Sequence, residues 1–237
     1  MPLFRAGMGE PDIYDATRRN DVSALDALLT EDNRKVQFKA FNPAEIINKL
    51  DDGGTGALHY AVKHDARAAA KLLLRRGADA NLTGAGDWRP VHEACEQRNL
   101  RFVRFLVGRH GADPDAITLD GMNACHLCAR GRRLKILKWL LREGGVKGFD
   151  APDHSGKTPL VYALANNDLK CVRFLIEHGA WPSADAPGAR ASDDMTPLHF
   201  AVSAGCDIRI VRLLLARRFH ADPNALTLRK RHTCLRT

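Results

Sequence analysis

The residues of this chain that could do chemistry are a pair of cysteines and a series of histidines. Cys125 and Cys128 form a Cys-x-x-Cys, the spacing of structural zinc sites and thiol redox pairs. A structural zinc site takes four ligands, and the chain holds one such pair, so packing as small hydrophobes is the simpler account. His59, His92, His126 and His199 recur in equivalent local sequences. Metal–nitrogen bonds are about 2 Å, whereas side chains on neighbouring packed helices start about 8–10 Å apart. Equivalent histidines therefore cannot share one ion, and a structural role is expected for them. The sequence contains no Gly-x-Gly-x-x-Gly, no P-loop and no His-Glu-x-x-His. No nucleophile, base and orienting acid form a recognisable set. Neither catalysis, nor a cofactor, nor a metal site is expected.

The local sequences around those histidines are copies of one another. Gly56-Ala57-Leu58-His59-Tyr60-Ala61, Arg89-Pro90-Val91-His92-Glu93-Ala94, Asn123-Ala124-Cys125-His126-Leu127-Cys128, Thr158-Pro159-Leu160-Val161-Tyr162-Ala163 and Thr196-Pro197-Leu198-His199-Phe200-Ala201 align. Their third residues fall at 58, 91, 125, 160 and 198, spacings of 33, 34, 35 and 38. A fixed period of this size marks a stacked repeat. In each copy Thr158, Thr196 and Asn123 are good N-caps, proline is tolerated at the first helical position, and Arg89 and Gly56 cap less well. A second helix follows with one apolar stripe: Leu100, Val103, Leu106, Val107; Leu134, Leu137, Leu140, Leu141; Leu169, Val172, Leu175, Ile176; Ile208, Val211, Leu214, Leu215. Gly77, Gly111, Gly144 and Gly179 are candidate left-handed C-caps. In this register Cys125 and Cys128 stand at a core leucine and a core alanine.

The five copies resemble the ankyrin repeat, whose signature is Thr-Pro-Leu-His-x-Ala; Thr196 to Ala201 match every fixed position. The resemblance runs over about residues 11 to 224. It implies an all-α ankyrin-repeat solenoid of helix-turn-helix units joined by hairpin-like loops, acting as a non-catalytic scaffold or adaptor that binds a protein partner through hairpin tips and the concave face. It also implies that the recurring histidine bonds to backbone and to the N-cap side. The expected organisation is a tail over 1–10, a degenerate capping repeat over 11–33, an insert over 34–53, repeats over 54–85, 86–119, 120–154, 155–193 (with a long loop) and 194–224, and a basic tail over 225–237. Residues 43–50 of the insert read as a short helix, and the composition of 181–194 suggests a mobile finger, either one that closes over a ligand or a plain insertion. Either the fifth copy ends the stack, or the chain is part of a longer one.

Composition sets the outer limits. With 45% apolar and 27% charged residues the chain can bury a core. No apolar run reaches the roughly 18 residues of a membrane helix. Glu10, Asp12 and Asp15 stand where a signal peptide would be apolar. Six cysteines, five of them in helical patterns, read as reduced thiols of an intracellular, cytoplasmic or nuclear protein.

Function must then be written on positions the repeat leaves free. The residue before each signature threonine (Thr55, Trp88, Met122, Lys157, Met195) should be an exposed edge, and large apolar or aromatic side chains there suit a partner. The concave positions include Lys63, His64, Glu96, Gln97 and Arg130 in the polar N-terminal half, against Ala165, Asn166, Ser203 and Ala204 beyond it. Aspartates near the tips (Asp51, Asp52, Asp87, Asp120, Asp153, Asp193, Asp194) suit local turn bonding. The net charge of +8 is concentrated in the second helices: Arg101 and Arg104, Lys135 and Lys138, Lys170 and Arg173, Arg209 and Arg212, with Lys71 continuing the second row. Residues three apart share a helix face, so these form an outer basic band. It is either a solvated face or an anion-binding surface for an acidic protein segment, an anionic membrane or nucleic acid. Phe105, Trp139 and Phe174 are expected on the apolar side of those helices, which leaves nothing to stack on bases.

Overall fold

The computed structural model describes residues 12–30, 46–180 and 196–216. Among the described residues the chain forms twelve α-helices in six inner–outer pairs, and one isolated antiparallel bridge, Leu50 with Gly56, instead of strands. The first pair is α1 (Ile13–Arg18) and α2 (Val22–Leu29), with the carboxylates of Asp12 and Asp21 capping at Asp15 N (2.6 Å) and Ala24 N (2.9 Å). The degenerate first repeat is thus a genuine helix pair. The inner helices that follow are seven residues each: α3 (Ala57–Lys63), α5 (Pro90–Glu96), α7 (Ala124–Arg130), α9 (Pro159–Ala165) and α11 (Pro197–Ser203). Their outer partners are α4 (Arg67–Arg75), α6 (Leu100–His110), α8 (Leu134–Arg142), α10 (Leu169–Glu177) and α12 (Ile208–Leu215).

The turn inside each pair carries one residue in the left-handed region: Asn20, Asp65, Arg98, Arg132 and Asn167 at φ 52–58°, and Gly205 at 64°. Asparagine, aspartate and glycine enter that region readily. Arg98 and Arg132 do not, and are held there by the helices on either side.

Contacts divide the chain into two compact units, Met1–Ala112 and Asp113–Thr237. In the first, α3 packs on α1, α4 and α5, and α6 packs on α5. In the second, α9 packs on α7, α10 and α11, with α8 on α7 and α12 on α11 and α10. Leu58 and Val91 in the first unit, and Cys125, Leu160 and Leu198 in the second, sit in the core, as do the alanines at 61, 94, 163 and 201 and Cys128. Cys125 and Cys128 are fully buried and in no disulfide, which is the packing role their register gives them. Among the described residues no three His, Cys, Asp or Glu side chains gather as metal ligands would.

The recurring histidine closes α3, α5 and α7. His59 Nδ1 accepts from Gly56 N at 3.3 Å, His92 Nδ1 from Arg89 N at 3.1 Å, and His126 Nδ1 from Asn123 N at 3.2 Å. The opposite nitrogen reaches the next tip: His59 Nε2 lies 3.1 Å from Trp88 O, and His126 Nε2 3.1 Å from Lys157 O. In His59 an Nδ1 that accepts from an amide puts the proton on Nε2, so one neutral tautomer makes both bonds; His126 Nδ1 lies in addition 2.8 Å from Asn123 Oδ1. Burial pushes the imidazoles of His59 and His126 below their ordinary value, against the pull of those carbonyls.

Several expectations are corrected. Thr158 starts its helix, but its hydroxyl makes no cap bond and is buried without a hydrogen-bond partner. Thr196 Oγ1 does cap His199 N at 3.3 Å and pairs with His199 Nδ1 at 2.7 Å. The difference is that Val161 stands in the Thr158 copy where the others have histidine. The left-handed glycine after α8 is Gly145 (φ 70°), not Gly144, one residue later because Glu143 and Gly144 both bond back to Trp139 O. Gly77, Gly111 and Gly179 are left-handed as expected. The buried arc of the outer helices is rotated from the expected stripe: Phe102, Ile136, Cys171 and Ile210 are buried, while Ile208 and Leu215 are 60% and 44% exposed. Cys206 lies in the turn after α11, not in a helix, its thiol 3.2 Å from Leu164 O. Of the insert helix expected over 43–50, Ile47 is buried and Ile46 exposed; residues 43–45 lie outside the described residues, as do the long loop, Asp193, Asp194 and the basic tail.

Candidate functional site

The loop tips are built by aspartate. Asp51 Oδ1 accepts from Gly53 N (3.0 Å) and Thr55 N (2.8 Å), and Tyr60 Oη donates to its Oδ2 at 2.5 Å. Asp153 repeats this with Ser155 N (2.8 Å), Lys157 N (2.9 Å) and Tyr162 Oη (2.6 Å). Burial alone would raise the Asp153 carboxyl, but these bonds outweigh it and hold it below the usual range. Burial, with the same pairing, pushes the Tyr162 phenol up to about 12. Asp51 and Asp153 are therefore consumed by the turn. Successive tips lie close: Ala85 N donates to Gly54 O at 2.8 Å, and His154 N to Asp120 O at 3.0 Å.

The tip residues expected to face a partner do not behave alike. Trp88 is half-buried, its ring edge-on to His92 at 6.0 Å. Met122 is buried, 5% exposed, which contradicts its reading as an exposed edge. The tip here folds the side chain inward: Met122 N donates to Thr118 Oγ1 (3.2 Å), and Arg130 Nη1 approaches the sulfur at 3.7 Å. Lys157 is half-buried with its backbone spent on Asp153 and His126. Met195 lies outside the described residues.

The ends of the inner helices are more open. In the first unit Lys63, His64 and Gln97 are exposed and Glu96 is half-buried; in the second Arg130 is exposed. Gln97 Nε2 donates to Glu93 Oε1 at 2.9 Å. Asn166 turns back on the preceding helix, donating to Arg130 O at 2.7 Å and Ala129 O at 3.1 Å, so this position in its repeat is structural.

All eight outer cations are exposed. Arg101 and Arg104 lie on α6 of the first unit; Lys135 and Lys138, Lys170 and Arg173, Arg209 and Arg212 lie on α8, α10 and α12 of the second. Arg209 is engaged by its own helix cap, with Nη2 2.6 Å from Asp207 Oδ2. Each unit also has a groove between outer helices that sequence reasoning missed. In the first, α4 and α6 enclose about 270 Å³. In the second, α8 and α10 enclose about 220 Å³, lined by Lys138, Arg142, Lys170, Arg173, Phe174 and Glu177, with Leu134 at one side. Phe105 is half-exposed and lines the first groove, contrary to its expected place on the apolar side; Trp139 and Phe174 are buried as expected.

Helix pairs whose histidines and cysteines serve packing, and whose polar variation sits on tips, helix ends and outer faces, define a helical-repeat interaction module. The chain belongs to the ankyrin-repeat family: the family model for three tandem ankyrin repeats matches residues 58–147, 91–186 and 146–227. Ankyrin repeats are generally protein–protein interaction modules. Inversin of Gallus gallus is 29% identical over 248 residues, covering 90% of this chain and 21% of the relative. Rabankyrin-5 of Mus musculus is 31% identical over 169 residues, covering 70% of this chain and 14% of the relative. The chain thus spans about a fifth or less of the length of these relatives. Among solved structures the ankyrin repeat domain of Bcl-3 superposes with a TM-score of 0.77 at 25% identity, covering 97% of this chain and 94% of that one. Among the described residues no helix is long and apolar enough to cross a membrane.

Proposed function

We propose that this chain is a non-catalytic scaffold that binds a protein partner through the exposed ends of its inner helices and the tips beside them. Lys63 with Trp88 and Gln97 serve in the first unit, Arg130 with Lys157 in the second. The observation that carries this is the contrast within one helix: in α7 every residue from Ala124 to Ala129 is buried, and Arg130 at its end is exposed. Exposed side chains at a repeated position are what a repeat protein varies to choose a partner. The test is affinity capture from native extract with the wild type beside a Lys63→Ala, Trp88→Ala, Gln97→Ala variant and an Arg130→Ala variant, each confirmed folded by circular dichroism. Partners retained by the wild type and lost from a variant support the assignment. Identical recovery across all three contradicts it.

A second reading is favoured by one specific observation, the exposure of all eight outer cations. On this reading the outer face binds a polyanion, with affinity that falls steeply with salt.

A further inference from the structure

We propose that the groove between α4 and α6 is a docking site for an acidic peptide segment of a protein partner, anchored by one aromatic or leucine side chain among its carboxylates. The proposal rests on the outer-face reading and narrows it to one groove and one ligand chemistry. Five cations rim the groove, Arg67 and Lys71 from α4 and Arg101, Arg104 and Arg109 from α6. Its apolar wall is Phe102 and Phe105. Asp65, paired with Arg67 at 3.0 Å, offsets part of that charge at the mouth; the lining itself contributes no carboxylate.

From α4 the groove is lined by Arg67 and Lys71, and the ring of Phe105 on the α6 side is half-exposed. That ring is fixed edge-on by Phe102 at 6.1 Å and by His110 at 4.5 Å. A rigid aromatic wall costs little entropy on binding. Guanidinium groups recognise carboxylates with paired hydrogen bonds. A bare inorganic anion would satisfy the rim and leave the ring wet. A nucleic acid would find one half-buried ring and no succession of stacking platforms. An acidic segment with one apolar anchor satisfies both parts, and a volume of about 270 Å³ accommodates such a side chain.

The α8–α10 groove is the natural contrast. There Glu177 places a carboxylate in the lining, and Lys138 Nζ and Arg142 Cζ each sit 5.6 Å from the centre of the buried Phe174 ring. Its aromatic is already covered by its own cations.

The test uses the full chain and a fluorescein-labelled peptide, Glu-Asp-Glu-Phe-Glu-Asp-Glu, followed by anisotropy. The same peptide with alanine for phenylalanine, a short duplex DNA and phosphatidylserine vesicles serve as competitors. Saturable binding of the phenylalanine peptide is expected, at least about tenfold tighter than the alanine peptide, as for loss of an aromatic anchor. Lys71→Glu with Arg101→Glu should weaken it at least about tenfold, while Lys138→Glu with Lys170→Glu in the other unit should leave it within about twofold, as independent sites do. Lys63→Ala with Trp88→Ala should not alter it, so failure here and failure of the helix-end surface are separately visible. Equal affinity for the two peptides, preference for DNA or vesicles, indifference to Lys71→Glu with Arg101→Glu, or no saturable binding would overturn the proposal. The two-peptide comparison on the wild type stands even if a variant fails to fold.

Discussion

The Tyr162 hydroxyl donates to Asp153 Oδ2 at 2.6 Å, tying an inner helix to the loop tip that precedes it. Tyr60 and Asp51 make the equivalent bond in the first unit. Because the native bonds hold the Asp153 carboxyl below its ordinary 3.8, the folded chain binds that proton less tightly than the unfolded one. The stabilisation is therefore complete above pH 3.8 and is lost as pH falls through the lower native value. Tyr162→Phe should cost about 1 kcal/mol near neutrality, and Asp153→Ala, which orphans several donors, about 2 kcal/mol. Denaturant titrations near pH 7 and near pH 3 check both; an Asp153→Ala penalty that persists in full at the acid end would refute the assignment.

Met122 is a core residue, so Met122→Ala should destabilise the second unit by about 2–5 kcal/mol. Urea unfolding followed by tryptophan fluorescence measures this. An unchanged midpoint would mean that the side chain is solvent-facing after all.

Gly121 has φ +78°, and a Cβ there would lie 2.6 Å from His154 Cδ2 and 2.7 Å from His154 N. Gly77 has φ +95° with open space around it. Gly77→Ala should therefore cost about 1 kcal/mol, the conformational penalty alone, and Gly121→Ala clearly more. Thermal melts of the two variants decide it, and equal losses would show that the tips can move apart freely.

The register of the repeat was legible down to the role of single side chains. His59, His92 and His126 close their helices, Cys125 and Cys128 fill the core, and the residues at 12–29 form a helix pair, because each depends on spacing along one helix. What was not legible depends on neighbours. Whether Met122 points in or out is decided by the bond to Thr118 and by Arg130, not by position in the tip. That Phe105 lines a groove depends on the neighbouring outer helix, which meets it with Arg67 and Lys71. Thr158 is a good N-cap by type, yet its hydroxyl makes no cap bond and lacks the imidazole that Thr196 meets in His199, because Val161 stands there.

That last contrast predicts a stabilising change. Val161→His would give the buried Thr158 Oγ1 the imidazole partner that Thr196 Oγ1 has at 2.7 Å. The second unit should gain about 1 kcal/mol, read as a raised melting temperature. A lower one would mean that the packing lost with Val161 outweighs the bond.

The proposed partner surface is the exposed helix ends and Trp88, whose ring is half-buried and rests edge-on to His92. The most direct measurement is the dissociation constant of a purified partner recovered by capture, for wild type and Trp88→Ala, with urea midpoints of both proteins taken in parallel. A loss of about 2 kcal/mol or more in binding is expected, the size of an aromatic hot spot, with the midpoint little changed. Unchanged affinity, or loss of folding in place of loss of binding, would contradict it.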